Sequence, residues 1–320
     1  MAVTSIGIPG THSGSEALLG QSYRFLDSMI LQVAAEKFDA GVLLDFWGDL
    51  AGGGSDTMAK RRVGGIGWGA SFTTMGSETE QISPSALSAA MDTISIGRHG
   101  LAFEESFTRA ILAGDGVTLE AIANTMVSSA SKKLRSLLCA HIAASFGSNV
   151  ADAAATADVD DCIAARAAFE DFAGFDASVP LIALLHGTQI KHIRASARSE
   201  TALKFPERFD KDQSIQSQSG YRFSFLGIDF YASQDITLSS SDYFGGIWQK
   251  GAVGWAKASP SAVGDIQDAN PVFVDELGMV ITRDTRGGQA TKRIDANLFA
   301  GIGQLSTDVI PAFLWRNQSS

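Results

Sequence analysis

Residues Thr118 to Phe146, TLEAIANTMVSSASKKLRSLLCAHIAASF, are the stretch that decides the fold. Apolar side chains recur through it at intervals of three and four residues, which predicts a single amphipathic helix. At about 1.5 Å per residue this helix would extend on the order of 40 Å, well beyond the average helix. The apolar stripe comprises Leu119, Ile122, Met126, Ala130, Leu134, Leu137 and Leu138, and the opposite face carries Glu120, Asn124, Ser128, Lys132 and Arg135.

The ends of the predicted helix carry residue types that favour helix boundaries. Thr118 is placed to cap the first backbone amides, and Glu120 lies where the helix dipole stabilises an anion. Gly147 follows the last apolar residue and is expected to end the helix. Because most helical stability in proteins comes from packing of the apolar face, the flanking segments should supply extended partners.

The segment from Asp56 to Ile96 has a different pattern. It alternates in the manner of strands, contains Pro84, and is interrupted by glycines at 64, 65, 67 and 69. We interpret it as a long two-stranded arm whose tip lies near the glycines. Two strands cannot bury a face by themselves, so the arm should need a partner, and an adjacent copy of the same chain is the simplest one.

The other segments are predicted from the same periodicities. Upstream we expect an extended arm over about residues 1–15, an amphipathic helix from Ser15 to Phe38, and a short helix over residues 97–113. Downstream we expect a helix at about Val159–Phe172, a strand at Pro180–Leu185, a turn at His186–Gly187, a helix from about Thr188, loops over Arg198–Ser219, strands within Tyr221–Ser233, one short strand within Ile247–Ala256, and strand-like pieces from Val272 to Trp315 that return to the long helix.

Length and composition restrict the classes of function. A chain of 320 residues favours two domains or one large domain with insertions, and 45% hydrophobic residues are ample for a core. The 25 basic and 35 acidic residues give a net charge of −10, which argues against a nucleic-acid binder because phosphate contacts need clustered Lys and Arg. The dense basic run at residues 60–62 is interpreted as a solvated or subunit-facing loop.

Cysteine usage and the N-terminal sequence bear on the compartment. Two cysteines do not make a disulfide framework, and Cys139, near the end of the apolar stripe, should be a small buried hydrophobe as in a reducing compartment. The N-terminus lacks the basic and apolar regions of a signal peptide. No run approaches the ~18 apolar residues that a membrane helix needs. We therefore expect a soluble, intracellularly made protein.

The sequence lacks the common catalytic signatures. It contains no G-x-x-x-x-G-K-[ST] phosphate loop, no H-E-x-x-H and no G-x-S-x-G nucleophile elbow. The glycines of GGIGWG, residues 64–69, miss the dinucleotide-binding spacing, and the five histidines are scattered rather than spaced as zinc ligands. We expect no catalytic residues, no cofactor and no metal site, and therefore a protein that is not an enzyme.

Four stretches in the second half of the chain, taken in order, resemble the major capsid proteins of tailed bacteriophages, which share the Hong Kong 97-type fold. Each stretch alone is weakly specific, and their order along the chain carries the resemblance. The stretches are LIALLHGTQIKHIRA (Leu181–Ala195), GYRFSFLGIDFYASQDI (Gly220–Ile236), GGIWQKGAVGWAKA (Gly245–Ala258) and ELGMVITRDTRGGQATKRIDANLFAGIGQL (Glu276–Leu305).

The resemblance implies an α+β chain with a particular division into parts. Residues 1–45 would be the N-terminal arm, and residues 46–98 the extended β-hairpin loop that lies over a neighbouring subunit. Residues 99–150 and 271–320 would form the peripheral domain with the long spine helix, and residues 151–270 the axial domain.

The resemblance also implies a function. The chain would be a structural subunit that forms pentamers and hexamers of itself and assembles into the icosahedral shell of a tailed phage around double-stranded DNA, without sequence-specific DNA binding. Portal, scaffold and decoration proteins are the further partners that such a shell implies, with no membrane. The location would be the virion capsid, after synthesis in the cytoplasm of the host bacterium. Two alternatives stay open, namely an encapsulin-type nanocompartment shell and a soluble α/β enzyme with an unrecognised site.

Charged and aromatic residues on the arm and the spine helix are the candidates for contacts between subunits. Some members of the family form a covalent cross-link between a lysine of the extended loop and an asparagine of a neighbour. Lys60 is the only lysine of the hairpin, and Asn297 or Asn317 would be the acceptor, with non-covalent locking as the alternative. The contact candidates are Lys60, Arg61, Arg62, Trp68, Lys132 and Arg135.

Overall fold

The computed structural model describes ten segments of the chain. Four predicted features lie outside them. They are the N-terminal arm at residues 1–15, the helix predicted for residues 15–38, the glycine-rich hairpin tip with Trp68, and most of the loop predicted for residues 198–219. The segments are residues 43–50, 56–64, 88–106, 115–172, 175–199, 221–259, 271–274, 277–286, 291–305 and 311–319.

Within these segments the chain is rich in strands, with three long helices between them. The helices are α1 (Asp115–Ser145), α2 (Val159–Glu170) and α3 (Gly187–Ser199). The strands are β1 (Asp45–Asp49), β2 (Thr57–Gly64), β3 (Ser88–Ser95), β4 (Gly97–Ser106), β5 (Leu181–Leu185), β6 (Tyr221–Phe225), β7 (Ile228–Ala232), β8 (Thr237–Ser239), β9 (Asp242–Gln249), β10 (Val253–Lys257), β11 (Val272–Val274), β12 (Met279–Arg286), β13 (Thr291–Gln304) and β14 (Ala312–Gln318).

Helix α1 confirms the long amphipathic helix and is 31 residues long. It begins at Asp115, so the prediction that Thr118 caps it is wrong, and the helix dipole favours an aspartate at that end. It ends at Ser145, two residues before Gly147, as the sequence indicated. Within the described segments, no helix has the length and apolar content that crossing a membrane requires. The stripe residues Met126, Ala130, Leu134 and Leu138 are all buried, as predicted.

The first sheet has the strand order β1-β10-β13-β12-β11, and β4 pairs with β13 on its other side. Strand β13 is the centre of this sheet because it pairs with β10, β12 and β4. Its alternate residues Ile294, Ala296 and Leu298 are buried in one apolar core with the stripe of α1. The spine helix therefore packs on the sheet through the even-numbered face of β13.

The prediction of a short helix over residues 97–113 is wrong for its first ten residues. Residues 97–106 form β4, which pairs with β13 in unbroken antiparallel register from Gly97↔Ala300 to Ser106↔Thr291. Leu101 and Phe103 pack against the core at the two-residue spacing of a strand. Pairing with a strand almost two hundred residues away decides the conformation here, whereas the local composition is ambiguous.

The second sheet has the order β14-β9-β5-β7-β6, with β8 paired to β9. All five residues of β5 are buried because both faces of the sheet are covered. Ile182 and Leu184 join the core of α1, whereas Leu181, Ala183 and Leu185 join a second core with α2 and α3. The predicted helix at 159–172, the strand before His186 and the helix after it are confirmed.

The single strand predicted within residues 247–256 is wrong, because this segment contributes to two strands of different sheets. Strand β9 belongs to the second sheet and β10 to the first. A tight turn joins them, in which the Ala252 amide donates to the Gln249 carbonyl at 3.0 Å and Gly251 has a φ of 100°. Glycine takes this left-handed backbone without steric cost, so the chain passes from one sheet to the other here.

Strands β2 and β3 form a separate two-stranded antiparallel sheet, which confirms the two-stranded arm predicted within residues 56–96. Their register runs from Thr57↔Ser95 to Gly64↔Ser88. The tip of the arm lies outside the described segments.

Candidate assembly surfaces

The base of the hairpin is fixed to its own subunit where β3 crosses β13. Ile94 is 1% exposed and lies over the glycine pair Gly301 and Gly303. A Cβ atom at Gly301 would collide with the backbone carbonyl of Ser95, and one at Gly303 would lie 2.6 Å from Ile94 Cγ1. Two glycines at the spacing of one strand face therefore let the backbone of β3 approach β13 directly.

The two faces of the hairpin differ in exposure. Met58 is opposite Ile94 in the register and is half-buried beside Gly48, so this face lies toward the subunit. Ala59 and Thr93 form the next pair and are both exposed. On the same side as Thr93, Met91 is 57% exposed. The outward face of the arm thus presents an uncovered large apolar side chain.

The structure places the predicted contact residue Lys60 against its own chain. Its Nζ lies 5.0 Å from the centroid of the Trp47 ring, and its register partner is Asp92. Trp47 in turn packs on Gly254 of β10, where any side chain would overlap the indole. Lysine over an aromatic face is a favourable electrostatic contact, so Lys60 helps to fix the arm to the first sheet.

The other predicted contact residues are divided between elements. Arg61 and Arg62 follow Lys60 on β2, whereas Trp68 lies outside the described segments. Lys132 is exposed and Arg135 half-buried on α1. The basic run at residues 60–62 therefore lies in strand β2 of the hairpin, so its interpretation as a loop is wrong, whereas Lys132 and Arg135 lie on α1.

A polar cavity of about 530 Å³ opens on the face of the first sheet that is turned away from α1. The side chains of two neighbouring strands pair across it, with Arg98 Nε donating to Asn297 Oδ1 at 3.0 Å. Arg293 Nε donates to Asp295 Oδ1 at 2.9 Å. The lining residues are Arg98, Gly100, Leu101, Ala102, Thr282, Arg293, Asp295 and Asn297.

The two asparagines considered as cross-link acceptors occupy opposite environments. Asn317 is 0% exposed, and its Nδ2 donates to Asp161 Oδ2 at 2.9 Å. Asn297 is half-buried at the polar cavity. Of the pair, only Asn297 lies where another chain can reach it.

Asp161 connects three elements around the second core. Its carboxylate accepts hydrogen bonds from the Asp152 amide at 2.8 Å, from the Asp158 amide and from Asn317. Asp158 caps α2 reciprocally, because its side chain accepts from the Asp161 amide. Burial raises the pKa of the Asp161 carboxyl, and the hydrogen bonds that it accepts oppose that rise. Gln189 of α3 completes this network by donating to Asn317 Oδ1 at 3.5 Å.

His186 caps α3 in the same reciprocal manner. Its Nδ1 accepts from the Thr188 amide at 3.2 Å, and its own amide donates to Gln189 Oε1 at 3.0 Å. The ring stacks on Tyr243 with 4.1 Å between centroids. Burial lowers the pKa of His186, which keeps Nδ1 available as an acceptor at neutral pH.

The cysteines are buried as predicted for Cys139. Burial raises the pKa of the Cys139 thiol to about 11, although Ser233 Oγ accepts a hydrogen bond from its Sγ at 3.8 Å. Burial also raises the pKa of Cys162. Both thiols are therefore protonated at neutral pH and fill space in the cores. Among the described residues, no group of three or more His, Cys, Asp or Glu side chains converges as metal ligands would.

Two of these features were not predicted from the sequence. The crossing of β3 over Gly301 and Gly303 had a signal, since glycines two residues apart within a strand mark a close backbone approach. No sequence pattern indicated the polar cavity, because its lining residues come from β4, β12 and β13 and meet only when the sheet forms.

The fold matches solved shell proteins over most of the chain. The subunit in the head structure of Helicobacter pylori bacteriophage KHP40 aligns with a TM-score of 0.58 at 11% identity, covering 85% of this chain and 86% of that one. The chain has the Hong Kong 97-type capsid fold. The predicted α+β fold class is thereby confirmed.

Two further structures have the same fold. The capsid of Ralstonia phage GP4 aligns with a TM-score of 0.55 at 10% identity, covering 87% of this chain and 86% of the other. The SrpI encapsulin complex from Synechococcus elongatus PCC 7942 aligns with a TM-score of 0.50 at 10% identity and the same coverage of 87% and 86%. No protein-family model matches the sequence, and no curated protein matches it.

Proposed function

We propose that the chain is the major capsid subunit of a tailed phage, a structural protein rather than an enzyme. The observation that carries this proposal is the capsid fold over about 85% of the chain, which includes an arm that its own subunit covers on one face only. Copies of the chain form pentamers and hexamers that close into an icosahedral shell around double-stranded DNA. Because the net charge of −10 disfavours contact with DNA phosphates, the shell wall holds the enclosed DNA only weakly, and the proposal includes no sequence-specific binding.

In this proposal each part of the chain has one role in the shell. Residues 1–45 are the N-terminal arm, and residues 46–98 are the extended loop that contains the hairpin. Residues 99–150 and 271–320 form the peripheral domain, and residues 151–270 form the axial domain. One apolar core surrounds α1 and the first sheet and the other lies under α2 and α3, and residues 151–270 contribute to both. Strand β14 pairs with β9 and so ties the C-terminal segment to the axial part.

The contacts between subunits are proposed to involve the outward face of the hairpin, together with Arg61, Arg62, Trp68, Lys132 and Arg135. Burial of apolar surface between identical subunits supplies the free energy of assembly, and heterologous contacts close into rings. Portal, scaffold and decoration proteins are the further partners that a phage shell requires. The subunit is made in the bacterial cytoplasm and resides in the virion.

An encapsulin-type shell is the second candidate, and the match to the SrpI encapsulin favours it. Electron microscopy of the purified full-length chain separates the candidates. Large closed shells, or open sheets of hexamers, support the phage capsid, and small closed shells of uniform size support the nanocompartment. A discrete small oligomer at every protein concentration and salt concentration tested overturns both.

A further inference from the structure

One end of the polar cavity presents hydrogen-bond donors without matching acceptors. Arg98 Nε donates to Asn297 Oδ1 at 3.0 Å. Because a guanidinium group contains only donors, this bond requires the amide oxygen of Asn297 to face Arg98, which fixes the direction of Nδ2. Within the described part of the chain, Asn297 Nδ2 and the terminal nitrogens of Arg98 donate to no other group. We call these two residues the donor end of the cavity.

The acidic groups on this face of the sheet lie beside a different arginine. Asp295 Oδ1 accepts from Arg293 Nε at 2.9 Å, and Glu104 is opposite Arg293 in the register. The positive charge of Arg98, in contrast, is bonded to a neutral amide. A ligand that brings a negative charge and several acceptor lone pairs therefore suits the donor end, and a carboxylate supplies both.

The donor end also has room for a side chain. Strand β4 contributes Gly100 opposite Asn297 and the small Ala102 one position further on the same face. A Cβ atom at Gly100 would lie 3.6 Å from Asn297 Oδ1, which is an ordinary contact, and would meet nothing else within 4 Å. Packing within the subunit therefore leaves the space beside Asn297 open, as part of the cavity of about 530 Å³.

The hairpin extends away from the cavity of its own copy. The Thr93 carbonyl lies over Gly303 and the Ser95 carbonyl over Gly301, so β3 passes along β13 from its C-terminal end. Strand β4 continues in the same direction and reaches Asn297 further along β13. The hairpin therefore lies beyond one end of this path and the cavity toward the other. A ligand carried by the hairpin would have to come from another copy.

The segment that joins β2 to β3 carries the complementary charge. Residues 65–87 contain Glu78 and Glu80 and no lysine or arginine. Since an extended chain spans at most about 3.6 Å per residue, a loop of this length reaches at most on the order of 40 Å beyond the ends of β2 and β3. That reach is sufficient for contact with an adjacent subunit. Negative charge in this segment and positive charge at the donor end are complementary.

We propose that the donor end of the polar cavity is a carboxylate site, filled in the shell by Glu78 or Glu80 from the hairpin of a neighbouring copy. This inference rests on the proposed shell function and names the surface that receives the hairpin. Each copy provides one hairpin and one cavity, so the contact is heterologous and closes into rings when the rotation allows. The charged hydrogen bonds fix where the hairpin lies on its neighbour.

Asn297→Asp tests the donor end with the smallest change in shape. The new carboxylate still accepts from Arg98 Nε, but it removes the amide donor and adds a negative charge beside the incoming glutamate. Shell yield of the purified full-length chain, measured by sedimentation, should fall at least about ten-fold. Assembly is carried out without nucleic acid, so a site that serves DNA phosphates would leave the yield unchanged and overturn the proposal.

Gly100→Val tests the open space independently of charge. The added side chain fills the position beside Asn297 without meeting the backbone of another strand, so the subunit should fold. Shell yield should nevertheless fall, because the glutamate of the neighbour no longer fits. This variant also replaces Asn297→Asp as the test if the aspartate variant does not fold.

A charge swap identifies the partner. Glu78→Arg with Glu80→Arg places arginines against the donor end, and Arg98→Glu removes the positive charge of that end. Each variant alone should lose shell yield. Combined in one chain, the three changes exchange donor and acceptor, and the yield should return to within about three-fold of that of the unchanged chain.

The controls separate this inference from the proposed function. Ser224→Asp adds a negative charge at an exposed residue of β6, in the second sheet, and should assemble as the unchanged chain does. Circular dichroism verifies that each variant is folded. Normal assembly of folded Asn297→Asp or Gly100→Val, a charge swap that restores nothing, or an equal loss in Ser224→Asp overturns the carboxylate site. Failure of the unchanged chain to form shells overturns the proposed function, and this contact with it.

Discussion

Strand β5 and the hairpin of β2 and β3 differ in how completely the subunit itself covers their two faces. In β5 every residue is buried, with one face on the core of α1 and the other under α2 and α3. In the described part of the hairpin, Ile94 is buried by the crossing over β13, but Met91 on the opposite face is 57% exposed. A sheet enclosed by its own chain is stable as a subunit, whereas a two-stranded arm is marginal alone and gains stability from a neighbour.

The comparison predicts that substitutions in the core destabilise the whole subunit. Substitutions where β3 crosses β13 should release the hairpin, and substitutions on the outward face of the hairpin should affect assembly alone. The free energy of unfolding should therefore respond in that order, from the largest effect to the smallest.

Trp248→Ala should have the largest effect on the subunit. The side chain is completely buried, stacks edge-on against Phe146 at 5.9 Å, and donates through Nε1 to the Leu43 carbonyl at 3.3 Å. Removing it should lower the free energy of unfolding by about 3–5 kcal/mol, measured by urea denaturation. Leu238→Ala, at an apolar residue that is 56% exposed, is the control and should change it by less than about 0.5 kcal/mol.

Gly301→Ala should have the next largest effect, confined to the hairpin. The new methyl group collides with the Ser95 backbone, which cannot rotate away, so we expect a cost of about 1–3 kcal/mol and a displaced arm. Limited proteolysis should cut β2 and β3 faster while α1 stays intact. Gly147→Ala, which meets no atom within 4 Å, is the matched control. Equal cleavage of the two variants would show that the crossing does not hold the arm.

His186→Asn should have a smaller and pH-dependent effect. Burial lowers the pKa of His186 below its ordinary value of 6.5, so the folded state prefers the neutral ring. The contribution of His186 to the free energy of unfolding is therefore complete above about pH 6.5. It falls as the pH drops below 6.5, because the unfolded chain takes up the proton at a higher pH than the folded chain does. Asparagine caps α3 without titrating, so the loss of stability between about pH 7.5 and about pH 5.5 should shrink.

The same variant loses the stack on Tyr243, which should cost about 0.5–1.5 kcal/mol equally at both pH values. The difference between the two pH values, obtained from urea unfolding, is therefore the informative quantity. An unchanged difference would mean that the capping role of the His186 ring does not contribute to the pH dependence.

Met91→Asp should have the smallest effect on the subunit and a large one on the shell. The residue is exposed at the outward face of the arm, so the free energy of unfolding should change by less than about 0.5 kcal/mol. Shell yield, measured by sedimentation, should nevertheless fall because a charge enters the buried contact with the neighbour. Met91→Leu keeps an apolar side chain and should assemble normally. Full assembly of the aspartate variant would place this face outside the contact.

The sequence predicted the elements whose patterns are local. The stripe of α1 persists from Met126 to Leu138, and the strand at residues 181–185 is a short apolar run bounded by turn residues, so both were recognised. Strand β4 was mistaken for a helix because GRHGLAFEES has few strand-forming residues and pairing with β13 decides its conformation.

The partners of individual side chains could not be predicted from the sequence for a related reason. Lys60 stood out as part of a basic run, yet the structure places it over Trp47, a partner that its sequence context does not reveal. Cys139 and the stripe were recognised as buried because burial follows helical periodicity. Contacts between distant strands, such as Ile94 on Gly301 and Gly303, depend on the tertiary fold and leave only a weak trace in the glycine spacing.

Hydrogen–deuterium exchange of the chain before and after assembly tests the central claim most directly. In the unassembled subunit the amides of β2 and β3 should exchange rapidly while those of α1, β5 and β13 are protected, and on assembly the hairpin should become protected as well. A hairpin that is equally protected in the isolated subunit and in the assembled particle would contradict the claim that a neighbouring copy completes the arm.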